Sequence, residues 1–191
     1  VLFRSRRSLL RRLDPVERDV LSCYINLDMQ NAGCGFTINR QLRSQGRGDP
    51  VITEKIACMD GVLNKSRPLP DSIRYLYRGI SGKSIRKIPA VGSVYADAAY
   101  MSTSPLLPRA LLYAGRNPVI LRIDTENLKS TVYSPNEEEI VLDKCIIWRV
   151  TSVHRNIRVD PRMARHPRDP DTDLSYIIPQ RVTVIDLCRS S

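Results

Sequence analysis

The sequence predicts an α+β fold, on two observations. Apolar residues recur at helical spacing in the first third of the chain, and short β-type runs between turn signals fill most of the rest. Helices first and strands later argue for an α+β domain rather than alternating βα units. The 191 residues suffice for a single domain with a core of its own.

The elements follow in order. Residues 1–13 read as a basic arm, with Arg4, Arg6, Arg7, Arg11 and Arg12 and no acid before Asp14. The domain itself is expected over residues 14–191. Asp14-Pro15-Val16-Glu17 is a helix start: a capping Asp, Pro in the first turn, and Glu three residues after the cap. Val16, Val20, Cys23, Tyr24 and Leu27 then follow at helical spacing. The break NAGCG precedes a second short helix, FTINRQLRSQ. GRGDP restarts the chain, and Ile52, Ile56, Met59 and Leu63 mark the apolar side of a third helix that RPLP ends. From Tyr75 onward YLYRGI, SVYA, AAYMSTS, PVILRI, EEIVLD, CIIWRVTSV and RVTVIDL read as strands, with one helix at PLLPRALLY. RVDPRMARHPRDPDTD is polar and proline-rich, a surface loop before the last strand.

Composition narrows the class. Hydrophobic content of 42% and charged content of 26% are ordinary for a soluble globular chain, and no apolar run approaches the ~20 residues of a membrane span. The first dozen residues do not make a signal peptide, and their abrupt opening suggests a piece of a longer protein. Cys23, Cys34, Cys58, Cys145 and Cys188 are odd in number and widely spaced, without a CxxC or His/Cys cluster. Reduced thiols and no metal site are expected. The formal net charge of +10 suggests an acidic partner or ligand. No RNA-binding aromatic motif or zinc finger accompanies it, so nucleic acid is not the expected partner.

Against that charge, SPNEEEIVLDK sets three glutamates at the mouth of an apolar strand. On an extended strand Glu137 and Glu139 share a face, about 6–7 Å apart, and repulsion keeps one partly protonated. Such a pair does acid/base work or stabilises a developing cation; a solvated strand end is the plain alternative. Three fragments accompany the glutamates. Tyr77-Arg78-Gly79 ends an apolar strand with an anion-binding Arg beside approachable backbone. Tyr100-Met101-Ser102-Thr103-Ser104 puts hydroxyls on a strand, and Tyr113-Ala114-Gly115-Arg116-Asn117-Pro118 sets an aromatic and an Arg around a glycine turn.

In this order and at these separations the fragments resemble the R-S-E class of mono-ADP-ribosyltransferases: Arg78 on a first strand, an aromatic-x-Ser-Thr-Ser strand at 100–104, and Glu-x-Glu at 137–139. YAGRNPVI resembles the nicotinamide-facing loop of the single-domain Rho-modifying exotoxins, and INRQLR (38–43) the helix those toxins use on the pyrophosphate side of NAD. The match covers roughly residues 14–150. The basic arm and small size are similar to the plant-pathogen type III effector branch.

The resemblance implies a two-sheet antiparallel β core with helices packed on it, NAD as substrate, and no metal. It implies an arginine-specific ADP-ribosyltransferase, secreted through a type III route and acting on a protein in the host cytoplasm, as a monomer. In that reading Glu139 hydrogen-bonds the ribose and stabilises the oxocarbenium ion, and Ser102 orients it. Arg78 holds an NAD phosphate, joined by Asn39 and Arg43; the Gly79 backbone binds the nicotinamide amide, Tyr113 stacks on the ring, and Arg116 reaches the phosphates as its loop closes. Glu137 selects arginine as acceptor by pinning the guanidinium and taking its proton. Residues 123–136 would recognise the target, with Tyr133 as a candidate aromatic contact. Trp148 is expected in the core, and His154 and His166 in solvent. Two alternatives stay open: an inactive member whose cleft binds a peptide or partner, the arginine-rich arm included, and a basic nucleic-acid-binding domain.

Overall fold

The computed structural model describes residues 9–25, 34–44, 48–66, 68–85, 87–115, 117–126, 128, 131–134, 138–160, 165–166, 169–173 and 181–190. The chain divides into two compact units. The first comprises Val1–Pro70, Ala96–Ser102 and Leu128–Ile146, and the second Asp71–Tyr95, Thr103–Asn127 and Ile147–Ser191.

The first unit packs three helices, α1 (Pro15–Ile25), α2 (Cys34–Ser44) and α3 (Pro50–Asn64), on a small sheet. The start of α1 is the capping box its spacing predicts. The Glu17 backbone N–H donates to Asp14 Oδ1 (2.9 Å) and the Asp14 N–H donates to Glu17 Oε2 (3.0 Å), which satisfies two orphan donors. Glu17 is buried, and Lys65 neutralises it through 2.6 and 2.7 Å contacts. At α3 the Asp49 carboxylate caps the Val51 N–H (2.8 Å), with Pro50 at the first position. The sheet runs β3 (Met101–Thr103), β6 (Glu139–Leu142), β5 (Thr131–Ser134). Ile38, Met59, Val62, Leu63, Tyr100, Val132 and Val141 form the buried centre between helices and sheet.

Three expectations change here. Cys23 at the end of α1 and Cys34 at the start of α2 are disulfide-bonded, so the cysteines are not all reduced thiols; Cys58, Cys145 and Cys188 are free. Cα atoms 5.7 Å apart, set by the packing of the two helices, make the bond geometrically accessible. The basic arm ends sooner than its charge suggests: Leu9 and Leu13 are buried in the core, while residues 1–8 lie outside the described residues. The stretch read as a recognition loop contains β5, which pairs antiparallel with β6 from Thr131↔Leu142 to Ser134↔Glu139; the Tyr133 side chain is outside the described residues.

The second unit is a five-stranded sheet in the order β1 (Tyr75–Ser81), β4 (Pro118–Asp124), β10 (Arg181–Arg189), β7 (Ile147–Arg158), β2 (Val94–Ala96). The ladders β1–β4 and β10–β7 are antiparallel, whereas β4 and β10 run parallel, with Arg122 opposite Asp186. Helix α4 (Leu107–Leu112) covers part of one face, where Ala110, Leu111, Ala114, Ile120 and Val182 are buried. Trp148 is fully buried, as its size predicts. The segment read as a loop before β10 carries a short hairpin, β8 (Arg165–His166) and β9 (Asp169–Asp173). The α+β class and the two sheets stand; the parallel ladder could not be read from local pattern.

Candidate active site

In the first unit the candidate residues lie on α2, β3 and β6. Of the three hydroxyl residues at 102–104, Thr103 and Ser104 are buried and Ser102 is half-buried. Ser104 belongs to the second unit, where it exchanges 2.8 Å backbone hydrogen bonds with Tyr77 and its Oγ accepts from the Leu106 N–H at 3.1 Å. Ser102 is therefore the least enclosed hydroxyl of the three. Tyr100 immediately precedes β3, and the two-residue period of the extended chain puts it on the same side as Ser102, while alternation along β6 puts Glu139 on the same side as Val141. Tyr100 and Val141 both belong to the helix-side core. Since β3 and β6 are neighbours, Ser102 and Glu139 share that face of the sheet on adjacent strands.

The glutamate run is not the extended strand its alternation assumed. Strand β6 begins at Glu139, and Glu138 sits in a turn at φ +51°. A left-handed residue breaks the two-residue period, so the shared face of positions 137 and 139 does not follow from strand geometry. Glu137 lies outside the described residues.

On α2, Asn39 Nδ2 donates to the Tyr24 hydroxyl at 2.9 Å, and its Oδ1 is buried with no hydrogen-bond partner among the described residues. Turning the amide over keeps the Tyr24 bond, with the phenol as donor, and leaves an N–H₂ at the buried position. Arg43 grips Asp97 fork to fork, Nε to Oδ1 at 2.8 Å and Nη2 to Oδ2 at 2.7 Å. Asp97 Oδ1 also accepts the Ala99 N–H at 3.1 Å, so this ion pair holds the turn that leads into β3. The sequence carried no sign of this partner, which lies 54 residues from Arg43.

In the second unit Arg78 sits on β1 opposite Leu121, on the face turned away from α4. One guanidinium nitrogen, Nη1, is buried. Gly79 lies on the α4 face, where a Cβ would stand 1.8 Å from the Ala110 carbonyl oxygen. Only glycine lets the helix approach the strand so closely. The last turn of α4 presents Tyr113 with 55% of its surface exposed. The chain then turns through Gly115 (φ +59°) and Asn117 (φ +51°), the glycine turn the sequence shows; Arg116 lies outside the described residues.

Two histidines stand outside these groups. His154 is half-exposed, with Nε2 2.9 Å from Ser152 Oγ and 3.3 Å from Asp186 Oδ2. His166 is in β8, its side chain outside the described residues. Among the described residues no group of three His, Cys, Asp or Glu stands ready for a metal ion, and no helix is long and apolar enough to cross a membrane.

Residues 6–168 match the ADP-ribosyltransferase exoenzyme family. No curated protein matches the chain in sequence. Similar solved structures include the ADP-ribosyltransferase Vis of Vibrio splendidus, 17% identical with a TM-score of 0.67, covering 100% of this chain and 79% of that one. The C3 exoenzyme of Clostridium limosum is 14% identical with a TM-score of 0.66, covering 100% and 91%. Plx2a, a toxin of Paenibacillus larvae, is 17% identical with a TM-score of 0.63, covering 100% and 93%. At these identities the likeness is one of fold.

Proposed function

Because the chain belongs to the ADP-ribosyltransferase exoenzyme family, whose reaction moves ADP-ribose from NAD, we propose that it modifies arginine side chains of a host protein. The observation that carries the reading is the placement of Ser102 and Glu139 on one face of adjacent strands. An anion and a hydroxyl so placed suit a ribose carbon that becomes cationic as nicotinamide leaves.

In this proposal the bond from ribose C1′ to the nicotinamide nitrogen breaks, and the electron pair leaves with nicotinamide. Glu139 stabilises the cation and holds a ribose hydroxyl; Ser102 fixes the Glu139 rotamer. Arg78 and Asn39 contact the phosphates, and the half-exposed Arg43, held by Asp97, adds positive charge on that side. The Gly79 backbone takes the nicotinamide amide, the exposed Tyr113 ring stacks on the base, and Arg116 closes over the phosphates. The guanidinium nitrogen of the acceptor then attacks C1′, and Glu137 takes the proton it sheds. Glutamate at 137 is what points to arginine, because a fully protonated guanidinium is a poor nucleophile without a base beside it. Delivery by a type III route and action as a monomer belong to the same proposal, supported by the resemblance in the sequence.

The test supplies labelled NAD and polyarginine to wild type, Glu139→Ala and Glu137→Ala. Transfer is expected to vanish in both, while NAD hydrolysis survives only in Glu137→Ala. Absence of NAD binding by calorimetry would overturn the reading in favour of an inactive member of the fold that binds a peptide. Equal loss of hydrolysis in both variants would remove the separate role of Glu137.

A further inference from the structure

On the same side of the sheet as Ser102 and Glu139, at the edge of the apolar core, lies a cluster of polar side chains. Tyr100, two residues before Ser102, is fully buried. Its hydroxyl donates to Asp60 Oδ1 on α3 at 2.5 Å and lies 3.0 Å from the Ile56 carbonyl oxygen. The same oxygen, Asp60 Oδ1, accepts from Nζ of Lys144, two residues past the end of β6. The Lys144 ammonium also stands over the Tyr100 ring, 5.3 Å from its centre, and Tyr24 of α1 meets the ring edge-on at 5.8 Å. Cys145, next to Lys144, donates its backbone N–H to the Asp97 carbonyl at 3.1 Å, so the entry to β3 and the exit of β6 are tied in the backbone as well.

Apolar packing alone does not require this arrangement. A phenylalanine at 100 would fill the same core with no hydroxyl to satisfy, and a carboxylate and an ammonium both lose solvation on approaching the core. Burial pushes the Tyr100 phenol far above its ordinary range, and the Asp60 hydrogen bond and charge push it further, so the phenol remains a donor at every physiological pH. What the group adds is direction: one carboxylate oxygen receives two donors, one from the residue just before β3 and one from just past β6, and a charged hydrogen bond holds angle and distance where packing tolerates sliding.

We infer that Asp60, Tyr100 and Lys144 are positioning residues, which hold β3 and β6 in the alignment that sets Ser102 beside Glu139. The inference rests on the proposed role of those two residues in cleaving NAD. The three act through the strands, and a small slip between β3 and β6 would move the carboxylate relative to the sugar, which catalysis tolerates poorly.

The experiment measures NAD hydrolysis at 25 °C by wild type, Tyr100→Phe, Asp60→Asn, Lys144→Met and Lys144→Arg, each also examined by thermal melting. Amide hydrogen exchange is followed in β3, β6 and, as an internal reference, β10. Tyr100→Phe, Asp60→Asn and Lys144→Met are each expected to lower kcat roughly tenfold with KM for NAD changed less than about twofold. The double variant Tyr100→Phe/Asp60→Asn should be no worse than about the single ones, since the group acts as a unit. Lys144→Arg, which keeps the cation and its hydrogen bond, should restore most of the rate. Exchange should quicken in β3 and β6 and not in β10. Unchanged kcat in Tyr100→Phe and Asp60→Asn would overturn the inference, as would losses that follow melting temperature regardless of side chain. If wild type itself fails to cleave NAD, the proposed function falls. The exchange pattern then decides the positioning claim alone: unaltered protection in β3 and β6 sinks it.

Discussion

Arg122 on β4 and Asp186 on β10 stand opposite each other across the parallel ladder and join fork to fork, Nε to Oδ1 at 2.7 Å and Nη2 to Oδ2 at 2.8 Å. Ser152 also donates to the Asp186 carboxylate, and Tyr75 stacks against the guanidinium, 5.3 Å from ring centre to Cζ. Burial pushes the Asp186 carboxyl up, but the hydrogen bonds from Arg122 and Ser152 and the positive charge of Arg122 outweigh it and hold the group below its ordinary value. A depressed folded value means the pair stabilises the fold above the unfolded carboxylate range and that this contribution is lost as pH falls through the folded value. Asp186→Asn should therefore cost about 1–2 kcal/mol at pH 7, softened by the exposed edge of Arg122. The difference from wild type should shrink below about pH 4, near the unfolded carboxylate value. Melting curves of both proteins from pH 3 to 8 check this; a gap that does not change with pH contradicts it.

Gly79 and Gly92 make a matched pair of substitutions. A methyl at Gly79 collides with the Ala110 carbonyl, whereas at Gly92 (φ +84°) nothing lies within 4 Å. Gly79→Ala should destabilise by about 3 kcal/mol or more, because helix α4 must lift off β1. Gly92→Ala should cost only about 1–2 kcal/mol of left-handed strain. Urea denaturation of the two variants gives the comparison, and similar midpoints would refute the close contact.

The disulfide predicts a thiol count and a stability. Unfolded without reductant, the protein should titrate three thiols, and five after reduction. The bridge spans a sequence separation of 11, so reduction should lower stability by about 2–3 kcal/mol. Cys23→Ser/Cys34→Ser should match reduced wild type and ignore reductant. Five thiols before reduction would disprove the bond.

Arg43 is assigned charge on the phosphate side and also anchors Asp97. These roles separate in kinetics. Arg43→Ala should raise KM for NAD severalfold, whereas Asp97→Asn, which weakens the grip on the arginine and keeps its charge in place, should lower stability by about 1 kcal/mol and raise KM little. Equal KM values in the two variants would leave the arginine as an anchor alone.

The starts of α1 and α3 were legible because their causes lie within four positions: the Asp14–Glu17 capping box and the Asp49-Pro50 start each close on their own backbone, whereas α2 begins at Cys34, inside the stretch read as a break. The apolar strand runs were legible for the same reason, and the order of Arg78, Ser102 and Glu139 was enough to suggest the chemistry. The acidic run misled because a non-glycine residue in a left-handed turn leaves no trace in composition, so the strand was read two residues early. Tertiary structure alone decided which chains lie side by side. The parallel ladder of β4 and β10, the gathering of Tyr100 and Lys144 by Asp60, the grip of Asp97 on Arg43 and the disulfide join residues 11 to 84 apart. Such contacts depend on loop closure and on the burial of whole faces, not on preferences carried by neighbouring residues.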